Sequence, residues 1–225
     1  LLLSRWKSLS PRLRRRAAET LFSRAASTRR LLAAVEDDEI SRADLDPARV
    51  RLLKVSGDAS IRKQVQRLFP DGGQVARQDV IKKYQAALKT EGDIAGGRKV
   101  FRKICAVCHR LEGHGKEVGA ELAGIADRGL DAVMLNVLDP NREVKPKFLS
   151  YVLATTDGRI VTGMITAETA NSITLQRSDG TVVTVLRIDI EELSSTGLSF
   201  MPEGLEKQVS VEMMADLLAY LAAVR

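Results

Sequence analysis

Cys105-Ala106-Val107-Cys108-His109 is the stretch on which the reading of this 225-residue chain turns. Two cysteines separated by two residues and followed at once by histidine have the spacing of a covalent c-type haem attachment site. On a helical turn positions 105 and 108 lie on one face, so both sulfurs can form thioethers with the vinyl groups of one porphyrin. His109 then projects towards the metal as the proximal nitrogen ligand. No other cysteine competes for these two. A zinc site from Cys105, Cys108, His109 and His114 is an alternative, but adjacent Cys108 and His109 match none of the usual paired ligand spacings. A thioredoxin-like dithiol needs a preceding strand in a βαβ unit, whereas Gly97 to Ile104 has a helical pattern. A 105–108 disulfide belongs to a product that has not received its haem.

A chain of this length buries a core and holds one large or two small domains. No apolar run approaches the roughly 20 residues that span a bilayer, so no transmembrane segment is expected. Leu1-Leu2-Leu3 is too short for a signal h-region, and Arg5 and Lys7 follow it instead of preceding it. The chain therefore reads as a C-terminal piece of a longer protein, and the lack of a visible signal leaves its compartment open. Residues 1–70 carry a net charge of +8 and the remaining 155 a net of −2. A basic end can meet an acidic partner, lipid headgroups or nucleic acid, or it is simply a solvated helix surface, since Arg is an ordinary helix former. No nucleic-acid motif is present, and no nucleic-acid partner is expected.

Residues 1–91 read as a helical scaffold. Ser10-Pro11 is an N-cap followed by proline at the first helical position, and Leu13, Ala17, Leu21 and Ala25 recur every four residues. Ser27 or Thr28 caps a second helix with Leu31, Leu32 and Val35. Asp46-Pro47 starts a third, and Asp58 a fourth with Ile61, Val65, Leu68 and Phe69, stopped by Pro70-Asp71-Gly72-Gly73. The pattern begins again after about 48 residues, as in HEAT or armadillo repeats, with a non-repetitive bundle as the alternative. A further helix, Gln78 to Thr90, leads to glycines 92, 96 and 97, a domain boundary.

Residues 92–225 carry the attachment motif. Gly97-x-x-x-Phe101 before Cys105 resembles the first helix of small cytochrome c domains, and Val211 to Val224 their last, with Met214, Leu217, Leu218 and Leu221 on one face beside Tyr220. In that family the two helices cross at a glycine and aromatics fill the contact. The loop Arg110 to Leu122 resembles the one passing under the proximal side of the haem. There a carbonyl of a Gly-Pro pair accepts the histidine N–H, a bond that fixes the tautomer; here Ala120 stands where the proline is expected, without its rigid φ angle. His114 reads as exposed.

The sixth ligand is expected to be a soft or imidazole donor. Met134 falls in an apolar helical stretch, Met164 in a strand, and Met213 and Met214 in the closing helix. Met201 lies in the turn-rich Ser199-Phe200-Met201-Pro202-Glu203-Gly204-Leu205, the place the axial methionine occupies in the resembled family, and is taken as the ligand.

Between about 148 and 195 the pattern changes to β-branched alternating runs: Leu149 to Thr156, Arg159 to Thr166, Ser172 to Gln176 and Thr181 to Arg187. Turns at Asp157-Gly158, 168–171 and Ser178-Asp179-Gly180 separate them. This reads as a small antiparallel insertion without a nucleophile, paired carboxylates or a phosphate loop. The expected fold is thus mainly α: a HEAT-like part over 1–91, then a cytochrome c fold over 92–225 with a β insertion.

Together, Gly97-x-x-x-Phe101, the Cys105–His109 motif, Val118-Gly119, Leu138-Asp139-Pro140-Asn141, Asp157-Gly158-Arg159, Met201-Pro202-Glu203-Gly204 and Asp216 to Leu221 resemble a C-terminal haem-binding module of large multidomain proteins from Planctomycetes and Verrucomicrobia. Those proteins often carry a propeller-like dehydrogenase-type domain and a HEAT-like region upstream. The resemblance implies one covalently attached haem c, ligated by His109 and Met201, in an electron carrier that is not itself an enzyme. It implies a redox partner or upstream dehydrogenase domain as electron donor, and an extracytoplasmic, periplasmic location. The rival expectation is a haem-based sensor with an open or displaceable sixth position; a third is an interaction module with a structural haem.

Overall fold

The computed structural model describes residues 2–70 and 72–224; Leu1, in the opening leucine run, and Asp71, in the expected helix stop, lie outside them. The mainly α expectation is overturned. The protein is mixed α/β, about 50% helical with 19% strand, and its strands form a five-stranded antiparallel sheet. It folds as two compact units: Leu1–Gly72 with Val144–Ile173 and Val185–Leu198, and Gly73–Glu143 with Thr174–Thr184 and Ser199–Arg225. Most of the sheet therefore folds with the N-terminal helices, and Gly73 to Thr90 folds with the Cys-x-x-Cys-His stretch.

In the first unit, Ser10 accepts the N–H of Leu13 and Pro11 fills the first position of α1 (Pro11–Phe22). Helix α2 (Ala25–Glu36) opens before the expected cap; Thr28 is instead buried, its hydroxyl donating to the Arg24 carbonyl at 3.1 Å. Helix α3 (Pro47–Lys54) follows Asp46. Helix α4 (Ala59–Leu68) is capped by Asp58, which accepts from the N–H of Ser60 and Ile61 at 2.9 and 3.2 Å. Leu31, Leu32, Val35, Ile61 and Val65 form the core, closed by Trp6, whose indole donates to Asp44 at 2.8 Å. Ala17 and Ala18 carry the buried face of α1, while Leu13, expected on it, is 50% exposed.

The sheet comprises β1 (Leu149–Thr155), β2 (Ile160–Glu168), β3 (Ser172–Gln176), β4 (Val182–Leu186) and β5 (Ile190–Ser199), in the order β4-β3-β2-β1-β5. Leu149, Tyr151, Leu153 and Thr155 alternate along β1 and are all buried, as a period of two requires. Tyr151 pairs with Gly163 and Leu153 with Val161 across the β1–β2 hairpin. Its turn holds Gly158 at φ +84°, with Asp157 accepting from the Thr155 hydroxyl and from Arg159. Strand β5 was not expected. Its run Glu191-Glu192-Leu193-Ser194-Ser195-Thr196-Gly197 is poor in strand formers, and pairing beside β1 overrides that preference.

In the second unit, α5 (Gly72–Tyr84) begins at the glycines expected to stop a helix and tightens into a 3₁₀ turn over Gln85–Leu88. Helix α6 (Ile94–Val100) runs into a π-helical turn, Phe101–Cys105. Helices α7 (Leu130–Leu138) and α8 (Val211–Ala223) complete the unit. Phe101, Leu138, Met214, Leu217 and Tyr220 lie at the centre of its core. No helix among the described residues is long and apolar enough to cross a membrane.

Candidate functional site

The position of the cysteines is set by how α6 crosses α8. Asp93 caps α6 by accepting the N–H of Ala95 and Gly96 at 3.1 and 2.9 Å, and its own N–H donates to Asp216 Oδ1 on α8 at 2.7 Å. A Cβ at Gly97 would come within 2.0 Å of the Asp216 carbonyl oxygen and 2.7 Å of Tyr220 Cβ, so only glycine allows the approach. One turn on, the Phe101 and Tyr220 rings meet at 5.8 Å between centroids, tilted by 50°. The Tyr220 hydroxyl donates to Glu112 at 2.8 Å, and Arg98 pairs with the same carboxylate at 3.2 Å.

The π-helical turn ends on Cys105, whose carbonyl accepts the N–H of Cys108 and His109 at 3.1 and 2.9 Å. Both thiols are free. The following loop folds back beneath this turn. Val118 and Gly119 donate to the Cys108 carbonyl at 2.9 and 2.7 Å, and Lys116 to that of Ala106 at 3.2 Å. Gly119 lies flat against the imidazole: a Cβ there would fall 2.4 Å from His109 Cε1. His109 Nδ1 is 2.8 Å from the Ala120 carbonyl oxygen. A carbonyl only accepts, so the proton resides on Nδ1 and Nε2 keeps its lone pair. Burial lowers the pKa of His109, and the Ala120 carbonyl acts against that shift.

This donor set fits a covalently held haem. Desolvation, reinforced by Cys108, pushes the Cys105 thiol up to about 11, and burial also raises that of Cys108. Reactive dithiols lie in environments that lower the thiol pKa, and among the described residues no strand precedes this pair. Among the described residues no three His, Cys, Asp or Glu side chains are grouped to hold a metal ion. The four residues of the zinc alternative are accordingly not assembled. His114 is exposed, its Nε2 accepting from Arg102 at 2.9 Å. A haem iron brings four porphyrin nitrogens and asks the protein only for axial donors, so a three-donor cluster is not what it requires.

Met201 stands on a separate, half-buried loop. Met134, Met164 and Met214 are buried, and Met213 packs against the core of the second unit. The Met201 loop is braced by residues to which the sequence assigned no role. Asn141 bonds Ser199 and Glu203. Arg77 on α5 forms a two-pronged ion pair with Glu206 and donates to the Leu138 carbonyl. The Tyr84 hydroxyl reaches the carbonyls of Val209 at 2.5 Å and Glu206 at 3.1 Å. Asn141 had a signal, its place in Asp139-Pro140-Asn141; Arg77 and Tyr84 had none, lying in a stretch read as scaffold. No protein-family model matches the chain, and a search of curated proteins finds no match.

Proposed function

We propose that this chain is a mono-haem c-type cytochrome domain that carries electrons, with Cys105 and Cys108 as thioether anchors and His109 and Met201 as axial ligands. The observation that carries the proposal is the hydrogen bond from His109 Nδ1 to the Ala120 carbonyl, which leaves Nε2 as a lone-pair donor one residue beyond the two free thiols. Haem bound here would supply a one-electron step between ferric and ferrous iron, at a potential raised by Met/His ligation.

The protein's own groups hold and orient. Cys105 and Cys108 would keep the group attached whatever its oxidation state. The Ala120 carbonyl fixes the His109 proton on Nδ1 and, with Gly119 against the ring, its rotation. The braces on the Met201 loop keep the second donor in place, which limits rearrangement between oxidation states. An attached or partner dehydrogenase is the proposed electron source, and an extracytoplasmic compartment, where haem c is attached, the proposed location.

The test is the absorption spectrum of the protein matured with c-type haem attachment machinery, with a pyridine haemochrome assay. A c-type haemochrome, a low-spin ferric form and the weak methionine-to-iron charge-transfer band are expected, with the band lost in M201A. A high-spin ferric form with rapid carbon monoxide binding would replace electron transfer by ligand sensing. The absence of covalent haem would overturn the proposal.

A further inference from the structure

One side chain holds the chain on both sides of Met201. Asn141, in the turn that follows α7, accepts the N–H of Ser199 through Oδ1 at 2.7 Å. Through Nδ2 it donates to Glu203 Oε1 at 2.6 Å. The Ser199 hydroxyl oxygen in turn accepts the N–H of Met201 at 3.1 Å. Met201 thus lies midway between two residues bonded to the same amide, in a bend where Pro202 disfavours helical backbone. The amide has only one workable orientation. Flipped, its oxygen would face a carboxylate and its NH₂ a backbone N–H. Aspartate could keep the bond to Ser199 but would repel Glu203, and leucine would make neither bond. A side chain with one acceptor and one donor is what this position uses.

Resting on the haem reading above, we propose that Asn141 is a positioning residue for the axial sulfur. By tying Ser199 and Glu203 together it sets the equilibrium between Met201 on the iron and Met201 released. Asn141 and Ser199 are 58 positions apart, and β5 ends on Ser199 itself. The amide therefore pins the chain where it leaves the sheet and begins the ligand loop. Without that pin the closed loop loses its favoured state, while the thioethers keep the haem in place. A second donor added in solution would then compete more easily for the iron.

The experiment titrates imidazole into the ferric holoproteins and follows the methionine-to-iron band. In N141L, imidazole is expected to bind about tenfold more tightly, equivalent to about 1.4 kcal/mol off the closed state, with a weakened band before addition. If N141L fails to mature, N141D carries the same test, with an expected gain of at least about threefold from the loss of the bond to Glu203 and the repulsion that replaces it. Wild-type affinity and an undiminished band in N141L, or in N141D where that variant serves, alongside an open M201A, would overturn the role of Asn141. An M201A protein with the wild-type spectrum and imidazole affinity would instead overturn the Met201 assignment on which the proposal rests.

Discussion

Arg77 and Glu206 meet as a two-pronged ion pair, Nη1 to Oε1 at 2.8 Å and Nη2 to Oε2 at 2.9 Å, with their side chains only 12% and 15% exposed. Two parallel charge-assisted bonds in a partly dry site hold a carboxylate in its ionised form. The Arg77 guanidinium accordingly lowers the Glu206 pKa below its ordinary value, against the cost of desolvation. The unfolded carboxylate has no such partner. The pair's contribution is therefore complete above the ordinary carboxylate range and is lost as pH falls through the depressed folded value. E206Q is expected to lose about 1–3 kcal/mol near neutral pH. Urea denaturation should show the gap to the wild type closing as pH falls below the ordinary carboxylate range. Parallel stability curves for the two proteins would count against the pair.

R77A should be worse than E206Q. It strips the partner from Glu206 and also leaves the Leu138 carbonyl without its donor. Removing one member of a largely buried pair costs about 3 kcal/mol, read as a lower urea midpoint at unchanged slope.

Two glycines give opposite expectations for the same substitution. G97A places a methyl group 2.0 Å from the Asp216 carbonyl oxygen, and the α6–α8 crossing cannot close around it. A loss of about 3 kcal/mol is expected, lowering Tm by roughly 6–12 °C in a chain of this size. At Gly57 nothing lies within 4 Å of the added carbon. G57A should be neutral or stabilise by about 0.4–1 kcal/mol through the unfolded chain. Calorimetry on both separates steric closure at the crossing from a general loss of flexibility.

The imidazole offers a third pair. G119A drives a methyl group into the His109 ring, 2.4 Å from Cε1. On the proposed function it should lower the low-spin, haem-loaded fraction on the order of tenfold. A120P retains the carbonyl that accepts from Nδ1 and should load haem as the wild type does. Equal loading of both variants would show that ring placement does not depend on this loop.

Tyr220 is 1% exposed, and its hydroxyl donates to Glu112, a non-glycine residue held at φ +49°. Y220F keeps the ring contact with Phe101 and removes only that bond. About 1 kcal/mol should be lost, with no change in haem spectrum. A spectral change would mean that the Glu112 turn reaches the His109 loop.

Much of the local structure was legible. The caps at Ser10 and Asp58, the four strands from Leu149 to Leu186 and the Asp157-Gly158 turn lie close to where the sequence placed them. Each depends on residues a few positions apart. Strand β5 was illegible because its two glutamates, three serines and a glycine carry no strand preference, and only pairing with β1 makes it one. Gly72-Gly73 looked like a helix stop by composition, yet α5 starts there. The weight of the sheet was underestimated for the same reason. Its fifth strand and its grouping with the N-terminal helices leave no periodic trace in either segment.

By itself the sequence determined the spacing of Cys105, Cys108 and His109, since a thiol pair and an imidazole on one turn need only local chain. A carbonyl accepting the ring N–H of that histidine was implied only by the resemblance to the cytochrome loop, and the folded loop supplies it from Ala120. Only the tertiary structure decided that Arg77 would reach Leu138 and Glu206, 61 and 129 positions away, and that Asn141 would clasp Ser199 and Glu203. Those contacts close long loops. Their energy comes from charge-assisted pairing in a partly buried site for Arg77 and from hydrogen bonds nearer the surface for Asn141, and neither partner bears any mark of the other in its own stretch of chain.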